Sequence, residues 1–289
     1  RFCHKSLLTS CILLGLEIDW IFPEEYLSCK IAPEAVKAKI TDKTLCVFAQ
    51  SIDYYGGESD IKAISDICRE KNVPLLTDNA HGAYRVFTGN HPLSLGADMT
   101  ADSAHKTLPC LTGGGYLHIS KAAPVFFKEN AKEAMSLFGS SSPSYLIMDS
   151  LDLCNRHIYE EKEKAEAIFR EIKALKSELK KTGYTLKDSD LMRITIDANA
   201  YGYSGFELSG ELRSRGVTAE FSDTAYTVLL FSTAQPPEDF PRILKAAVDI
   251  RRLPPIPSVI FPIPETVFAM SPREAFFAPS EYLSVEKAV

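Results

Sequence analysis

The chain has 289 residues, of which 45% are hydrophobic and 24% charged, and its formal net charge is −6. This composition is ordinary for a globular protein, and the length suffices for one large or two average domains. The negative charge gives no support to nucleic-acid binding. The apolar stretch at 7–16 is too short to span a bilayer, so no membrane association is predicted.

The seven cysteines are dispersed, with no Cys-x-x-Cys pair and no metal-type spacing against the six histidines. An odd, scattered set is typical of reduced thiols in a cytosolic protein. The sequence therefore predicts a cytoplasmic protein without a metal site. Most of the cysteines are expected to be small, buried hydrophobic residues.

The first half of the chain alternates between predicted helices and strands. Apolar residues at helical spacing predict helices at 4–14, 33–39, 60–70 and 125–135. Short apolar runs predict strands at 18–22, 45–49, 73–77 and 116–119, with a further short apolar segment at 97–100. This alternation is typical of a doubly wound α/β layer with a mainly parallel sheet.

The second half has a different organisation. Few helix breakers occur over 145–181, which predicts one long or broken helix that Gly183 closes. Beyond it, predicted strands at 191–196, 218–221 and 226–231 and predicted helices at 204–215 and 236–250 indicate a small α+β unit. Five prolines over 254–264 indicate a linker or an extended arm.

These patterns divide the chain into four parts. We predict a large domain at 1–144, a linker helix at 145–182, a small α+β domain at 183–253, and a proline-rich arm with a C-terminal segment at 254–289.

Two residues suggest the chemistry. Asp78 ends one predicted strand, and Lys106 follows the next apolar segment. Ligands of parallel sheets bind at the carboxyl ends of the strands, where these side chains would converge. Pyridoxal phosphate needs such a pair: a lysine for its imine and an acid to keep its pyridine nitrogen protonated.

Each residue also has an ordinary explanation. Asp78 could cap a turn after a strand, and Lys106 could be a solvated surface lysine. The two residues would equally serve an aminotransferase or another lyase.

The segments around both residues resemble the bacterial Orn/Lys/Arg decarboxylase family, whose members are fold-type-I pyridoxal-phosphate enzymes. These segments are Asp78-x-Ala80-His81-Gly82 and Ser103-x-His105-Lys106-Thr107-Leu108-Pro109. Further similar segments extend over nearly the whole chain: Arg1-x-Cys3-His4-Lys5-Ser6, Asp53-Tyr54-Tyr55-Gly56, Ser140-Ser141-Ser142-Pro143-Ser144-Tyr145 and Pro272-Arg273-Glu274-Ala275-Phe276-Phe277.

The resemblance implies a transferase-like large domain that binds pyridoxal phosphate, followed by a small α+β domain. Lys106 would form the covalent bond to the cofactor, and Asp78 would pair with its pyridine nitrogen. His4 would stack on one face of the ring, and Ala80 would pack on the other. A histidine at a helix start is the alternative for His4.

The same resemblance suggests further ligands. Ser103 would bind the phosphate, His105 would lie near the phosphate or the substrate, and His81 near the phenolic oxygen or the reacting carboxylate. Ser141 and Ser142 would reach a phosphate across a dimer interface, unless they form a plain loop. Glu220 would face the distal cation of the substrate, unless it is simply an exposed strand residue.

The activity implied is decarboxylation of lysine, arginine or ornithine to the amine and carbon dioxide, as in polyamine biosynthesis, by a homodimer or larger assembly. The alternatives are an inactive paralogue that acts as a binding partner, and another fold-type-I enzyme such as an aminotransferase. No glycine-containing phosphate loop precedes His4, and no Pro-Pro-Gly tail follows. We therefore expect a chain truncated at both ends relative to the family.

Overall fold

The computed structural model describes residues 3–23, 28–257 and 267–288. The first helices are α1 (Lys5–Leu14) and α2 (Pro33–Lys39), both as predicted. The strand predicted at 18–22 is wrong. That segment has strand-like apolar residues, but it pairs with none of the described strands, and a strand requires a hydrogen-bonded neighbour.

The first sheet has the order β1-β2-β3-β4. Its strands are β1 (Val47–Gln50), β2 (Leu75–Asp78), β3 (Met99–Asp102) and β4 (Tyr116–Ile119). The first three strands are parallel, and β4 is antiparallel to β3. The predicted mainly parallel sheet is thereby confirmed, and its parallel strands all end at the same edge.

An amphipathic helix, α3 (Ile61–Glu70), packs against this sheet. Its buried side chains join a core formed with α2, β1 and β2. The side chain of Asp60 caps the helix by accepting a hydrogen bond from the Ala63 N–H at 3.0 Å. After β2 the chain forms a short 3-10 helix at Ala83–Phe87, and after β3 the short helix α4 (Ala104–Thr107).

Three longer helices follow β4. They are α5 (Val125–Phe138), α6 (Tyr145–Glu160) and α7 (Lys162–Lys181). The helix predicted over 145–181 is broken at Glu161, whose φ of −111° and ψ of 27° leave the helical region. Gly183 then follows α7 with a φ of +96°, as a glycine closing a helix does.

The second sheet is antiparallel, with the order β5-β6-β8-β7. Its strands are β5 (Thr185–Lys187), β6 (Arg193–Asp197), β7 (Phe221–Ser222) and β8 (Tyr226–Leu230). Sequence patterns did not reveal β5, whose three residues are too few to establish a period. The strand predicted at 218–221 was wrong for all but Phe221, because β7 spans only two residues.

Short helices accompany this sheet: α8 (Ala198–Tyr201), α9 (Gly205–Ser214) and α10 (Asp239–Val248). A capping box begins α9, in which Ser204 and Glu207 each accept a hydrogen bond from the other's backbone N–H. The helix predicted from residue 236 starts three residues later, at Asp239.

Segments that follow the strands of the first sheet share one hydrophobic core with the second sheet. This core includes Tyr84 and Ala104 from the first part of the chain and Ile194 from the second. Polar contacts join them as well. Thr195 Oγ1 donates to the Tyr55 carbonyl at 2.7 Å, and the Thr233 N–H donates to the Thr107 carbonyl at 2.9 Å. The second sheet therefore lies against the loops at the carboxyl edge of the first. The domain boundaries predicted from sequence stay a prediction.

The C-terminal region ends in α11 (Pro272–Phe277) and α12 (Val285–Ala288). Helix α11 packs on α1, and Arg273 Nη1 donates to the Ile12 carbonyl at 2.6 Å. The predicted arm at 254–264 falls largely outside the described residues.

Among the helices that the structure describes, none has the length and apolar character needed to cross a membrane.

Candidate cofactor-binding site

Asp78 is the last residue of β2, at the carboxyl edge of the first sheet, and is half-buried. Its neighbours in register are Gln50 of β1 and Ala101 of β3. The Ala80 N–H donates to Asp78 Oδ1 at 2.9 Å, so one carboxylate oxygen fixes the turn that follows the strand. The predicted position of Asp78 at a strand end is confirmed.

Lys106 lies in α4, directly after the neighbouring strand β3. Its Nζ is 3.2 Å from His81 Nε2 and 5.9 Å from the ring centroid of Tyr54. The amine is half-buried. Lys106 is therefore not the solvated surface lysine that was the alternative explanation.

Charges from both sheets act on this amine. Burial lowers the pKa of Lys106, and Arg193 lowers it further, while Asp78 and Glu220 raise it, with a net decrease. Asp78 belongs to the first sheet, Arg193 to β6, and Glu220 directly precedes β7. A lysine with a lowered pKa has a larger neutral fraction, and the neutral amine is the form that attacks a carbonyl.

His81 is buried beside this lysine, with its ring centroid 4.8 Å from that of Tyr54. Burial and the positive charges of Arg193 and Lys106 lower the pKa of His81 to about 2, so the ring is neutral. A protonated Lys106 amine can only donate to Nε2, which places the ring proton on Nδ1. That Nδ1 is buried and has no hydrogen-bond partner among the described residues.

Arg193 was missed by sequence reasoning. It is buried on β6, where Nη1 donates to Asp190 Oδ1 at 2.9 Å, and Nη2 is buried without an acceptor among the described residues. Asp190 Oδ2 also accepts from the Tyr84 hydroxyl at 2.9 Å. A lone arginine in a predicted strand gives no sequence signal, because its relation to Lys106 depends on how the two sheets pack.

A buried polar chain supports the turn that carries His81. Ser51 Oγ donates to Asn79 Oδ1 at 2.6 Å, and Asn79 Nδ2 donates to Asp102 Oδ1. Gly82 lies so close that a Cβ there would be 2.1 Å from Asn79 Oδ1. The turn at 79–82 is thus held across the ends of three strands.

The other predicted residues fall into two groups. Ser103 and His105 flank the site. Ser103 precedes α4 without capping it through its side chain, and His105 Nδ1 is 2.9 Å from the Gly114 carbonyl.

The second group, His4, Ser141 and Ser142, is exposed. His4 Nδ1 is 2.8 Å from Ser6 Oγ, and the Ser142 N–H donates to Ser140 Oγ. The structure does not bring these three to Lys106, and their functional roles stay predictions. Arg1, in the same motif as His4, lies outside the described residues.

The arrangement suits an anionic, carbonyl-bearing cofactor. The His81 Nδ1–H and the Arg193 Nη2 are buried donors that need acceptors, since leaving such groups unpaired is costly. A phenolate, carboxylate or phosphate oxygen would satisfy them. The amine and the carboxylate that pyridoxal phosphate requires lie at the same edge of the sheet.

The family model described as the Orn/Lys/Arg decarboxylase major domain matches residues 1–209. The chain belongs to this family. It is 31% identical to the protein YaaO of Bacillus subtilis over 80% of this chain and 52% of that protein. It is 26% identical to the arginine decarboxylase of B. subtilis over 100% of this chain and 64% of that enzyme. The chain therefore spans about half to two thirds of the length of these relatives.

A solved structure, lysine decarboxylase A of Pseudomonas aeruginosa, superposes with a TM-score of 0.70 at 17% identity, covering 86% of this chain and 44% of that one. The fold is that of the fold-type-I pyridoxal-phosphate enzymes, as the sequence predicted. Pyridoxal phosphate is the cofactor that the family implies, and the residues at the sheet edge fit it.

The neutral state of His81 predicts a specific pH dependence. His81 stabilises the fold above its unfolded pKa of 6.5, and this contribution is lost as the pH falls towards 2, because only the unfolded histidine binds a proton. Between pH 7 and pH 5, the wild-type free energy of unfolding should fall by about 2 kcal/mol more than that of His81→Gln.

Urea denaturation of the cofactor-free protein at the two pH values measures this difference. Phe206→Ala, at an exposed position, supplies a control, since it changes no titratable group and should lose as much stability as the wild type between the two pH values. Equal losses of stability in the wild type and His81→Gln would show that His81 is not a buried neutral imidazole.

Proposed function

We propose that this chain carries the catalytic core of an enzyme that decarboxylates lysine, arginine or ornithine to the corresponding amine and carbon dioxide. The observation that most supports it is the environment of the Lys106 amine, which lies 3.2 Å from His81 Nε2 and whose pKa is affected by the charges of Asp78, Arg193 and Glu220. Membership of the family and the similarity to an arginine decarboxylase support the reaction type.

Pyridoxal phosphate, when bound, supplies a ring that accepts the electron pair released when a bond to the substrate α-carbon breaks. The residues of this chain bind and orient it. Lys106 provides an amine that burial keeps partly neutral, for covalent attachment. Asp78 provides the carboxylate that holds a proton on the pyridine nitrogen.

The remaining residues complete the proposed site. His81 is positioned to donate from Nδ1 to an anionic oxygen, and Arg193 to donate from Nη2 to another. Ala80 and His4 would cover the two faces of the ring, with Ser103 and His105 near the phosphate. Ser141 and Ser142 would reach a phosphate from a second subunit.

Glu220 is the proposed substrate selector. It is exposed, and its backbone N–H donates to the Val228 carbonyl, which fixes the residue at the edge of the second sheet. Its carboxylate acts on the Lys106 amine. A carboxylate within electrostatic range of the reacting amine suits a substrate that carries a second positive charge at its distal end.

Covalent capture tests the cofactor assignment. Incubation with pyridoxal phosphate followed by borohydride should fix the cofactor to the peptide that contains Lys106, as read by mass spectrometry. The half-buried Lys176 is the internal control: its Nζ donates to the Asp190 carbonyl at 2.7 Å and should stay unlabelled. Label on another lysine, with Lys106 unmodified, would refute the assignment.

Asp78→Asn tests the chemistry. The amide keeps the shape of the side chain but loses its charge, so the pyridine nitrogen would lose its proton. Release of carbon dioxide should fall by about a thousandfold, which corresponds to about 4 kcal/mol of lost transition-state stabilisation. The cofactor should still bind, as checked by absorbance.

The exposed Asp66 on α3 supplies the control, since Asp66→Asn should leave turnover unchanged. Normal turnover of Asp78→Asn at full cofactor occupancy would contradict the proposed role. Formation of a keto acid without carbon dioxide would identify an aminotransferase, and absence of both products at full occupancy would identify an inactive paralogue.

We also propose that the chain forms a homodimer through α5, α6 and the loop between them. These elements expose a set of large hydrophobic side chains, which are Phe126, Leu137, Phe138, Tyr145, Leu146, Leu153 and Tyr159. Several large exposed hydrophobic side chains on neighbouring elements are typical of an interface. The proposed site would then receive Ser141 and Ser142 from the same loop of the partner.

Sedimentation tests this assembly. The wild type should sediment as a dimer or larger species, and Leu146→Glu should shift it towards the monomer, because a charge is costly to bury in an interface. Phe206→Glu, at an exposed position of α9, should leave the assembly unchanged. A monomeric wild type with full activity would exclude the proposal.

A further inference from the structure

Two histidines and one aspartate form a cluster beside the candidate cofactor site. Asp102 Oδ2 lies 2.9 Å from His91 Nε2 and 3.1 Å from His118 Nε2. The three ligand atoms lie within 4.8 Å of one another. None of these residues has a role in the decarboxylation proposed above.

Three separate segments supply the cluster. Asp102 ends β3, His118 lies on the antiparallel neighbour β4, and His91 belongs to the loop that precedes β3. The Asp102 side chain is only 2% exposed, that of His91 13% and that of His118 41%. The cluster is thus a buried carboxylate with one covered and one solvent-facing imidazole.

A hydrogen bond on the side away from the histidines orients the Asp102 carboxylate. Its Oδ1 accepts from Asn79 Nδ2, so Oδ2 is left to face the two imidazoles. Metal-binding carboxylates are commonly fixed by a hydrogen bond of this kind. Two imidazole nitrogens and one such oxygen form a donor set that suits zinc and related transition metals.

The distances are close to those of a metal centre. Donor atoms around tetrahedral zinc are about 3.3 Å apart, given bonds of about 2.0–2.1 Å. The two Asp102–histidine separations are a few tenths of an ångström shorter. The three donor atoms lie within 4.8 Å of one another, so the two imidazoles would have to turn towards a shared position to bind the ion. The exposed side of His118 leaves a fourth position for water.

We propose that His91, Asp102 and His118 bind a divalent transition metal ion, with zinc as the best match. The ion would join the loop before β3 to the β3-β4 pair. Through Asp102 and Asn79 it would also stabilise the turn that carries His81. Each histidine would bind through Nε2 and carry its proton on Nδ1. His91 Nδ1 accepts from the Leu93 N–H at 3.4 Å, so His91 would change tautomer and lose this long contact.

Zinc titration of the EDTA-treated protein tests this site. The wild type should bind one Zn²⁺ per chain, and zinc should raise its melting temperature. Co²⁺ in place of zinc should give the visible absorption of a tetrahedral nitrogen and oxygen site. His118→Ala, at a part-exposed position, should weaken zinc binding by at least about tenfold, and His118→Cys should restore it.

Two controls separate this site from other ligands. His157, hydrogen-bonded to Thr233 Oγ1 at 3.1 Å, lies outside the cluster, so His157→Gln should bind zinc normally. Cys46 is an exposed free thiol that could bind zinc adventitiously, so Cys46→Ser should bind zinc as tightly as the wild type does. The proposal is overturned if the wild type binds no zinc, or if folded His118→Ala binds it as tightly as the wild type.

Discussion

The hydrogen-bond chain from Ser51 through Asn79 to Asp102 crosses the carboxyl ends of all three parallel strands of the first sheet. Buried polar groups are costly unless each has its partner, so this chain allows one arrangement of the strand ends. Both segments of the candidate site depend on it. The turn after Asn79 carries His81, and the residues after Asp102 lead into the helix of Lys106.

The part of the chain around the second sheet adds a buried ion pair to the candidate site. Asp190 binds Arg193 by an ion pair in which both side chains are at most 1% exposed, and it also accepts from Tyr84 beside the first sheet. A buried ion pair contributes little net stability, but removing one partner leaves the other charge buried and unpaired. The ion pair orients the Arg193 guanidinium, and the Tyr84–Asp190 hydrogen bond connects this pair to the first part of the chain.

Sequence patterns predicted the α/β architecture well, because buried parallel strands and amphipathic helices such as α3 have strong periodic signals. These patterns failed where pairing with a distant segment decides whether a strand forms. The segment 18–22 has the composition of a strand but pairs with none of the described strands, whereas β5 has a partner but too few residues to show a period.

The residues of the candidate site also divide into those that sequence patterns reveal and those that only the packing of distant segments brings together. Asp78 and Lys106 were found because their positions after consecutive strands are visible in the sequence. Arg193 could not be found, because only the packing of β6 against the first sheet brings its charge to Lys106. The grouping of His91, Asp102 and His118 was equally hidden, since antiparallel pairing of β3 with β4 creates it.

The reactivity of Lys106 has a consequence for the order of maturation. Its lowered pKa comes from burial and from Arg193, a residue of the second sheet. Before the second sheet docks, the amine lacks the effect of Arg193, which is one of the two causes that lower its pKa. Long-range contacts of this kind form late in folding. Docking of the second sheet would accordingly increase the neutral fraction of the amine that attaches the cofactor.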